Sequence, residues 1–338
     1  MARLTFVLLA LCLLSSEAPA AAVPTEFYSH PQQLISIGTR HLNLYCAGKG
    51  KPTVLLDTGL GDTMLVWRSV QLQIAEFTRV CAYDRAGYGF SDAPTGPSDA
   101  NSVVADIHKL IRASHMGAPV LYVGHSIAGI YGLLLEAEYP GDVAGEVLVD
   151  PSFVNQLPLM LGGSPSLLSK AIAGSQSALE KQKACLGLAE KGELAHPTTE
   201  TAKNCVKSFT GLPDGNSQEA SAEAKDIRTS ISELTNFVST SASHESNDER
   251  ELEQAKVSFG NKPLTVLTRS KGFKFLGATP SQEAAIQHAW AAGHDKIATL
   301  STRGKNIIVP ETEHYIELDQ PAIVVSTVRD VVNDLRPK

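Results

Sequence analysis

The sequence predicts an α/β protein with a mostly parallel, eight-stranded sheet, helices on both faces and a helical insertion. Short apolar runs alternate with helical patterns along most of the chain, which is typical of a parallel sheet covered on both sides. The first two runs lie close together and predict a hairpin. Between residues 152 and 259 the strand pattern stops, which predicts an insertion into the sheet.

The order of the elements follows from where the apolar runs and the helical spacings fall. The apolar runs predict strands at 34–37, 42–45, 53–57, 78–83, 120–123, 145–149, 264–268 and 306–309. The helical spacings predict helices at 64–76, 98–114, 127–139, 280–300 and 321–335. The alternation therefore extends through both halves of the chain, on either side of the insertion.

The insertion carries a helical pattern of its own. Five apolar residues recur at three- and four-residue spacing, which predicts an amphipathic helix. They are Ala224, Ile227, Ile231, Leu234 and Val238. The following stretch, 239–253, is polar and charged and predicts a solvated turn and helix face. We therefore expect a core in two parts, 23–151 and 260–338, around a helical cap at 152–259.

Residues 1–22 predict a cleavable secretory signal peptide. Arg3 provides the charged start, residues 4–14 the apolar core, and small residues at 18–20 or 20–22 the cleavage site. An uncleaved membrane anchor is the alternative, but the apolar run is too short to span a bilayer comfortably. We therefore expect a secreted or periplasmic protein with no stable membrane anchor.

The overall composition is typical of a globular enzyme. The 338 residues are 43% hydrophobic and 19% charged, with a formal net charge of -7. No basic cluster indicates nucleic-acid binding. No cluster of metal-ligating side chains is visible in the sequence, so we expect neither a metal nor an organic cofactor. The oligomeric state is left open.

Four cysteines remain once residues 1–22 are removed. They are Cys46, Cys81, Cys185 and Cys205. An even number in an exported chain predicts two disulfides. We favour the pairs Cys46–Cys81 and Cys185–Cys205, because each pair then lies within one region of the chain, while buried free thiols are the alternative.

A serine stands at the tip of a predicted strand–turn–helix. The segment Gly124-His125-Ser126-Ile127-Ala128-Gly129 follows an apolar run and precedes a helical pattern. Small residues allow the backbone to turn tightly, and the turn lifts the serine hydroxyl out of the sheet. Ser126 is therefore the candidate nucleophile, with a simple tight turn as the alternative. The usual G-x-S-x-G pattern has glycine where this chain has Ala128.

Two further segments accompany the serine motif in a fixed order along the chain. Residues 84–91 carry D-x-x-G-x-G-x-S after the fourth predicted strand, and Glu313-His314-Tyr315 follows the last strand. With these motifs the chain resembles the α/β-hydrolase family, from about residue 34 to the end apart from the cap. The resemblance implies a serine hydrolase of esterase type.

The resemblance implies a role for each motif. Ser126 would be the nucleophile and His314 the base that accepts its proton, since a serine hydroxyl is a poor nucleophile at neutral pH. No carboxylate follows the seventh strand until Glu283, whereas Asp150 ends the sixth strand. Asp150 is therefore the expected orienting acid, and a helix cap is the alternative role for this aspartate.

Other residues of these motifs receive roles from the same resemblance. The backbone N–H groups of Ile127 and Leu60 would form the oxyanion hole. The loop with Asp84 and Arg85, and likewise His125, would be structural. The family's strand order also sets the second strand beside the fourth, which brings Cys46 and Cys81 onto neighbouring strands.

The implied reaction is hydrolysis of a small carboxylic ester through an acyl-enzyme. Amide or peptide hydrolysis and acyl transfer are alternatives on the same three residues, and a non-catalytic ligand-binding protein is the alternative from another class. A dehalogenase or an epoxide hydrolase is disfavoured, because both would need an aspartate at position 126. Five apolar cap residues either line an acyl pocket or form the cap's own core. They are Phe153, Leu157, Leu159, Met160 and Leu161.

Overall fold

The computed structural model describes residues 22–24, 27–28, 30–194, 196–210, 224–237, 246–275 and 277–337. The predicted signal peptide lies outside these residues except for Ala22. Val238 and residues 239–245 of the predicted polar stretch also lie outside them. Within the part of the chain described here, none of the helices combines the length and apolar character that crossing a bilayer requires.

Eight strands form one sheet, as the sequence predicts. They are β1 (Gln33–Ser36), β2 (His41–Ala47), β3 (Val54–Asp57), β4 (Val80–Tyr83), β5 (Val120–His125), β6 (Val143–Val149), β7 (Leu264–Arg269) and β8 (Gly304–Val309). The spatial order is β1-β2-β4-β3-β5-β6-β7-β8. The β1–β2 and β2–β4 pairs are antiparallel and the other pairs are parallel. The parallel strands therefore all end at one edge of the sheet.

The helices cover both faces of this sheet. Those outside the insertion are α1 (Gln71–Ala75), α2 (Ala100–Ala113), α3 (Ala128–Glu138), α9 (Pro280–Ala298), α10 (Ile316–Asp319) and α11 (Pro321–Leu335). Helices α2, α3 and α9 pack against one face, and α1 and α11 against the other. The central strands β3 and β5 are buried along their whole length, which explains why their sequences are mostly apolar before the final Asp57 and His125.

The single helix predicted at 64–76 is wrong. The structure has a 3-10 turn at Met64–Trp67, followed by the short helix α1. All four residues of the turn are buried. The tighter turn replaces the first half of the predicted helix, and residues 68–70 separate it from α1.

Among the described residues between β6 and β7, where the sequence predicts the cap, there are five helices. They are α4 (Gln156–Leu161), α5 (Pro165–Ala189), α6 (Glu200–Thr210), α7 (Ala224–Phe237) and α8 (Asn247–Gln254). Helix α7 corresponds to the predicted amphipathic helix. The division of the chain into domains at residues 152 and 259 stays a prediction.

Helix α8 has the expected solvated face, at Asn247, Arg250, Glu253 and Gln254, but it also buries two acidic side chains. Asp248 is completely buried and Glu249 is almost so. The Asp248 carboxylate accepts the backbone N–H of Ala100 at 2.9 Å, at the start of α2, and Glu249 forms a capping box with Ser246. Backbone N–H groups replace water as their partners, but burial still raises the pKa of Asp248 to about 8 and that of Glu249 to about 7.

The structure joins the cysteines in the pairs that the sequence favours. Cys46 and Cys81 lie directly opposite each other on β2 and β4 and form a disulfide. Cys185 of α5 and Cys205 of α6 form the second, within a small apolar cluster of the insertion. Two disulfides indicate an oxidising compartment.

Candidate active site

Ser126 occupies a sharp turn between β5 and α3. Its φ is +56°, in the left-handed region that a non-glycine residue rarely adopts. Three backbone hydrogen bonds hold this conformation. The Ser126 N–H donates to the Val149 carbonyl at 3.1 Å, and the Ser126 carbonyl accepts the N–H groups of Gly129 at 2.9 Å and Ser152 at 2.8 Å. The strained turn is therefore held by β6 as well as by its own helix.

The small residues around Ser126 follow from how closely other backbone approaches the turn. A Cβ atom on Gly129 would lie 2.3 Å from the Cβ of Pro151. A Cβ atom on Gly124 would lie 2.8 Å from the Ala128 carbonyl oxygen. The side chain of Ala128 is buried without such a conflict, so a methyl group fits where the usual pattern has glycine.

His314 lies on the loop after β8 and reaches both Ser126 and Asp150. Its Nε2 is 2.9 Å from the Ser126 Oγ, and its Nδ1 is 2.6 Å from the Asp150 Oδ2. An ionised carboxylate can only accept, so Nδ1 carries the proton and Nε2 is free to accept from the serine hydroxyl. The structure thus brings the three residues singled out by the sequence into one hydrogen-bonded chain.

The Asp150 carboxylate accepts hydrogen bonds from three residues and caps no helix. Its Oδ1 accepts the Arg269 backbone N–H at 3.2 Å and the Trp290 Nε1–H at 2.8 Å. Its Oδ2 accepts from the Arg269 guanidinium as well as from His314. Helix α4 begins after Asn155, away from this carboxylate.

Burial and charge act in opposite directions on Asp150. Complete burial raises the pKa of its carboxyl. The hydrogen bond from His314 and the positive charges of His314 and Arg269 lower the same pKa, and their combined effect is larger than that of burial. The net result is a pKa well below the ordinary value of an aspartate. Asp150 is therefore ionised at neutral pH and able to stabilise a positive charge on His314.

Three residues of this site were missed by sequence reasoning. Arg269 ends β7 and is almost completely buried, with its guanidinium 3.6 Å from the ring centroid of Phe273 and 4.4 Å from that of Trp290. On α9, His294 donates from Nε2 to the Pro151 carbonyl at 2.8 Å. The positions of Arg269, Trp290 and His294 follow no short motif. The available signal was that Arg269 and Asp150 end neighbouring strands.

His125 supports the loop that carries His314. Its Nε2–H donates to the His314 carbonyl at 3.0 Å, and the two rings lie 4.7 Å apart. Burial lowers the pKa of His125 to about 3, so this ring is neutral. The contacts of His125 described here are therefore with the loop that carries His314.

The two expected oxyanion donors lie beside the serine turn. Ile127 follows Ser126 at the start of α3, and Leu60 lies on the loop after β3. Gly59 of this loop packs closely against His125 of the serine turn. A Cβ atom added to Gly59 would lie only 2.9 Å from the His125 Nδ1. Among the residues that the structure describes, neither the Leu60 N–H nor the Ile127 N–H donates to a protein acceptor. The same residues contain no group of three side chains placed to hold a metal ion.

Comparison with known proteins identifies the family. The sequence profile of the alpha/beta hydrolase family matches residues 54–327. The chain belongs to this family. A full-length relative is an AB hydrolase superfamily protein from Gibberella zeae, which is 24% identical over 85% of this chain and 88% of its own. The chain spans about a fifth of the length of another curated relative that it matches.

Solved structures show the same α/β-hydrolase fold. An esterase from Thermogutta terrifontis is 16% identical, with a TM-score of 0.55 over 90% of this chain and 98% of its own. An epoxide hydrolase from Bacillus megaterium is 15% identical, with a TM-score of 0.61 over 89% of this chain and 100% of its own. The family match and the shared fold support a hydrolytic enzyme.

We predict that Gly129→Ala destabilises the protein. The new Cβ would lie 2.3 Å from the Pro151 Cβ and push the residue next to Asp150, at a cost of about 1–3 kcal/mol in the free energy of unfolding. Gly174→Ala in helix α5 is the matched control, because no atom lies within 4 Å of its added Cβ. The control should gain up to about 1 kcal/mol. Urea unfolding measures both, and a Gly129→Ala variant as stable as the control would contradict the packing argument.

We also predict that His294 makes the protein less stable in mild acid. Burial lowers the pKa of His294 from 6.5 to about 4, so in this interval the unfolded chain binds a proton that the folded chain does not. The free energy of unfolding therefore falls as the pH is lowered through this interval. The loss attributable to His294 is about 3 kcal/mol.

His294→Gln should lose less stability than the parent when urea unfolding is repeated from pH 7 to pH 4. His288→Gln is the control, because the His288 side chain is exposed on the same helix. It should keep the parent's pH dependence. Identical slopes for all three proteins would show that His294 is not buried in its neutral form.

Proposed function

We propose that the protein is a serine hydrolase that cleaves carboxylic esters through an acyl-enzyme on Ser126. The observation that carries this proposal is the hydrogen-bonded chain from Asp150 through His314 to the Ser126 hydroxyl, with distances of 2.6 and 2.9 Å. Both distances are those of a nucleophile, a base and an orienting acid ready to transfer a proton.

In the first half of the reaction, the Ser126 oxygen attacks the carbonyl carbon of the ester. His314 Nε2 takes the serine proton, and Asp150 stabilises the resulting imidazolium. The negative charge on the former carbonyl oxygen is stabilised by the N–H groups of Leu60 and Ile127. The imidazolium then returns its proton to the departing alkoxide, which leaves as the alcohol.

In the second half, water replaces the alcohol. His314 takes a proton from the water as the water oxygen attacks the acyl carbon. The same two N–H groups stabilise the new negative charge on the carbonyl oxygen. The bond to the serine oxygen then breaks, and Ser126 regains its proton from His314. The products are the carboxylic acid and the free enzyme.

The choice of an ester over an epoxide follows from the nucleophile. A serine oxygen that opened an epoxide would form an ether on the protein. Water attack does not readily cleave an ether, because an ether has no carbonyl carbon to accept the attack, so turnover would stop after one cycle. An acyl-serine has that carbon. The likeness to an epoxide hydrolase therefore extends to the fold and not to this chemistry.

We further propose that the mature protein is secreted or periplasmic. The pattern of residues 1–22 supports a cleavable signal peptide, and the two disulfides support an oxidising compartment. The expected substrate is a small ester met outside the cytoplasm.

We predict that Ser126→Ala abolishes turnover on a panel of p-nitrophenyl esters of graded acyl length. Asp150→Asn should lower kcat by about 10⁴-fold, as loss of the orienting carboxylate does in other serine hydrolases, because the amide no longer holds the His314 tautomer that accepts from serine. Steady-state kinetics measure both effects, and circular dichroism tests whether each variant is folded.

Asp142→Asn provides the matched control for Asp150→Asn. Asp142 is also completely buried and paired with a cation, Arg112, but lies at the opposite end of β6. This variant should keep the parent's kcat. An Asp150→Asn enzyme as fast as the parent would place the acid elsewhere.

The proposed export leads to a separate prediction about the N-terminus and the disulfides of the mature chain. Mass spectrometry of protein recovered outside the cytoplasm should show a chain that lacks roughly the first 20 residues. Peptide mapping without reductant should recover Cys46 linked to Cys81 and Cys185 linked to Cys205. A chain with an intact N-terminus and four free thiols would contradict the proposed location.

A further inference from the structure

The loop that carries Leu60 rests on a buried arginine. Arg85, from the loop after β4, is 2% exposed and donates from Nη1 to the Thr58 carbonyl at 2.7 Å. Its Nη2 donates to the Gly59 carbonyl at 2.6 Å. Both accepting groups belong to the loop after β3. One guanidinium therefore holds two consecutive carbonyls immediately before Leu60.

The hydrogen bond to Gly59 bears directly on the expected oxyanion donor. The Gly59 carbonyl and the Leu60 N–H belong to the same peptide group, which is trans, so they point in opposite directions. A cation bound to the carbonyl therefore fixes the direction of the N–H on the other side. It also polarises the peptide group, which makes the N–H a stronger donor to a negative charge.

The arginine is in turn held by the inserted helix α7. Glu233 of this helix is completely buried, with its Oε1 2.9 Å from the Arg85 Nε and its Oε2 3.3 Å from the Arg85 Nη2. The Tyr88 hydroxyl donates to the same Oε2 at 2.8 Å. Helix α7 approaches closely here, since a Cβ on Gly87 would lie 1.8 Å from the Thr229 Oγ1.

Charge balance explains why Glu233 is needed for the position of the arginine. Asp57 also accepts from the Arg85 Nη1 at 3.0 Å, on the side of the guanidinium that faces β3. Glu233 occupies the opposite side, at Nε and Nη2. Two carboxylates thus hold the planar group from two directions, and removal of one charge draws the guanidinium toward the other and weakens its alignment with the two carbonyls.

We propose that Glu233 is a positioning residue for ester hydrolysis, acting through Arg85 on the peptide group that presents the Leu60 N–H. The inserted helix α7 then supports the oxyanion hole from behind the loop that carries Leu60. This inference rests on the proposed function, because an oxyanion hole has a role only if a carbonyl is attacked. Glu233 itself touches no reacting atom.

The test compares p-nitrophenyl acetate with its thiono analogue, which has sulfur in place of the carbonyl oxygen. Sulfur is larger and a weaker hydrogen-bond acceptor, so an oxyanion hole helps the oxygen ester more than the thiono ester. Glu233→Gln keeps the size of the side chain but places an N–H group against the arginine. We expect kcat on the oxygen ester to fall about tenfold, less than when a donor is removed outright.

The rate on the thiono ester should fall much less, so the oxygen-to-thiono rate ratio drops several-fold while KM changes little. Tyr88→Phe removes one donor to Glu233 without changing any charge, and it should lower the ratio in the same direction by a smaller factor. A general loss of stability would lower both rates together and leave the ratio unchanged.

Asp142→Asn is again the matched control. Asp142 is also a completely buried carboxylate paired with an arginine, Arg112, but it has no contact with Arg85 among the described residues. Its ratio should equal that of the parent. A parent-like ratio in Glu233→Gln, in an otherwise active enzyme, would overturn the inference alone. A parent enzyme without turnover on either ester would overturn the proposed function as well.

Discussion

The Asp150 carboxylate is completely buried, and its two oxygens accept four hydrogen bonds from three other residues. Arg269 ends β7, Trp290 lies on α9, and His314 lies on the loop after β8. A carboxylate removed from water is stable only when such donors replace its hydration. Three separate parts of the fold are therefore held together by one ionised group, and His314 is oriented toward Ser126 as a result.

The parts of this structure that the sequence predicts are those coded by local patterns. Apolar runs predicted all eight strands, and they are strongest in the central parallel strands β3 and β5, which are buried along their whole length. Ser126 could be singled out because a tight turn requires small neighbours within a few residues. His314 and Asp150 could be singled out from the resemblance to the α/β-hydrolase family, because each follows a strand after which that family places its histidine or its acid.

The parts that could not be predicted depend on contacts between distant residues. Arg269 lies 119 residues from Asp150, and Glu233 lies 148 residues from Arg85. Asp248 and Glu249 are polar, which suggested solvent exposure. Both are nevertheless buried, with backbone N–H groups as hydrogen-bond donors in place of water. Sequence pattern records whether a residue is polar, but the partner that permits its burial is decided by the packing of the whole chain.

In the proposed reaction Ser126 carries the acyl group during turnover, and rapid-quench mass spectrometry detects this acyl-enzyme directly. The enzyme is mixed with a p-nitrophenyl ester, stopped in acid within the first turnovers and digested. We expect the peptide containing Ser126 to gain the mass of the acyl group, and we expect Ser126→Ala to show no such adduct. Turnover with the acyl group on a different residue, or with an adduct that persists in Ser126→Ala, would contradict the proposed reaction.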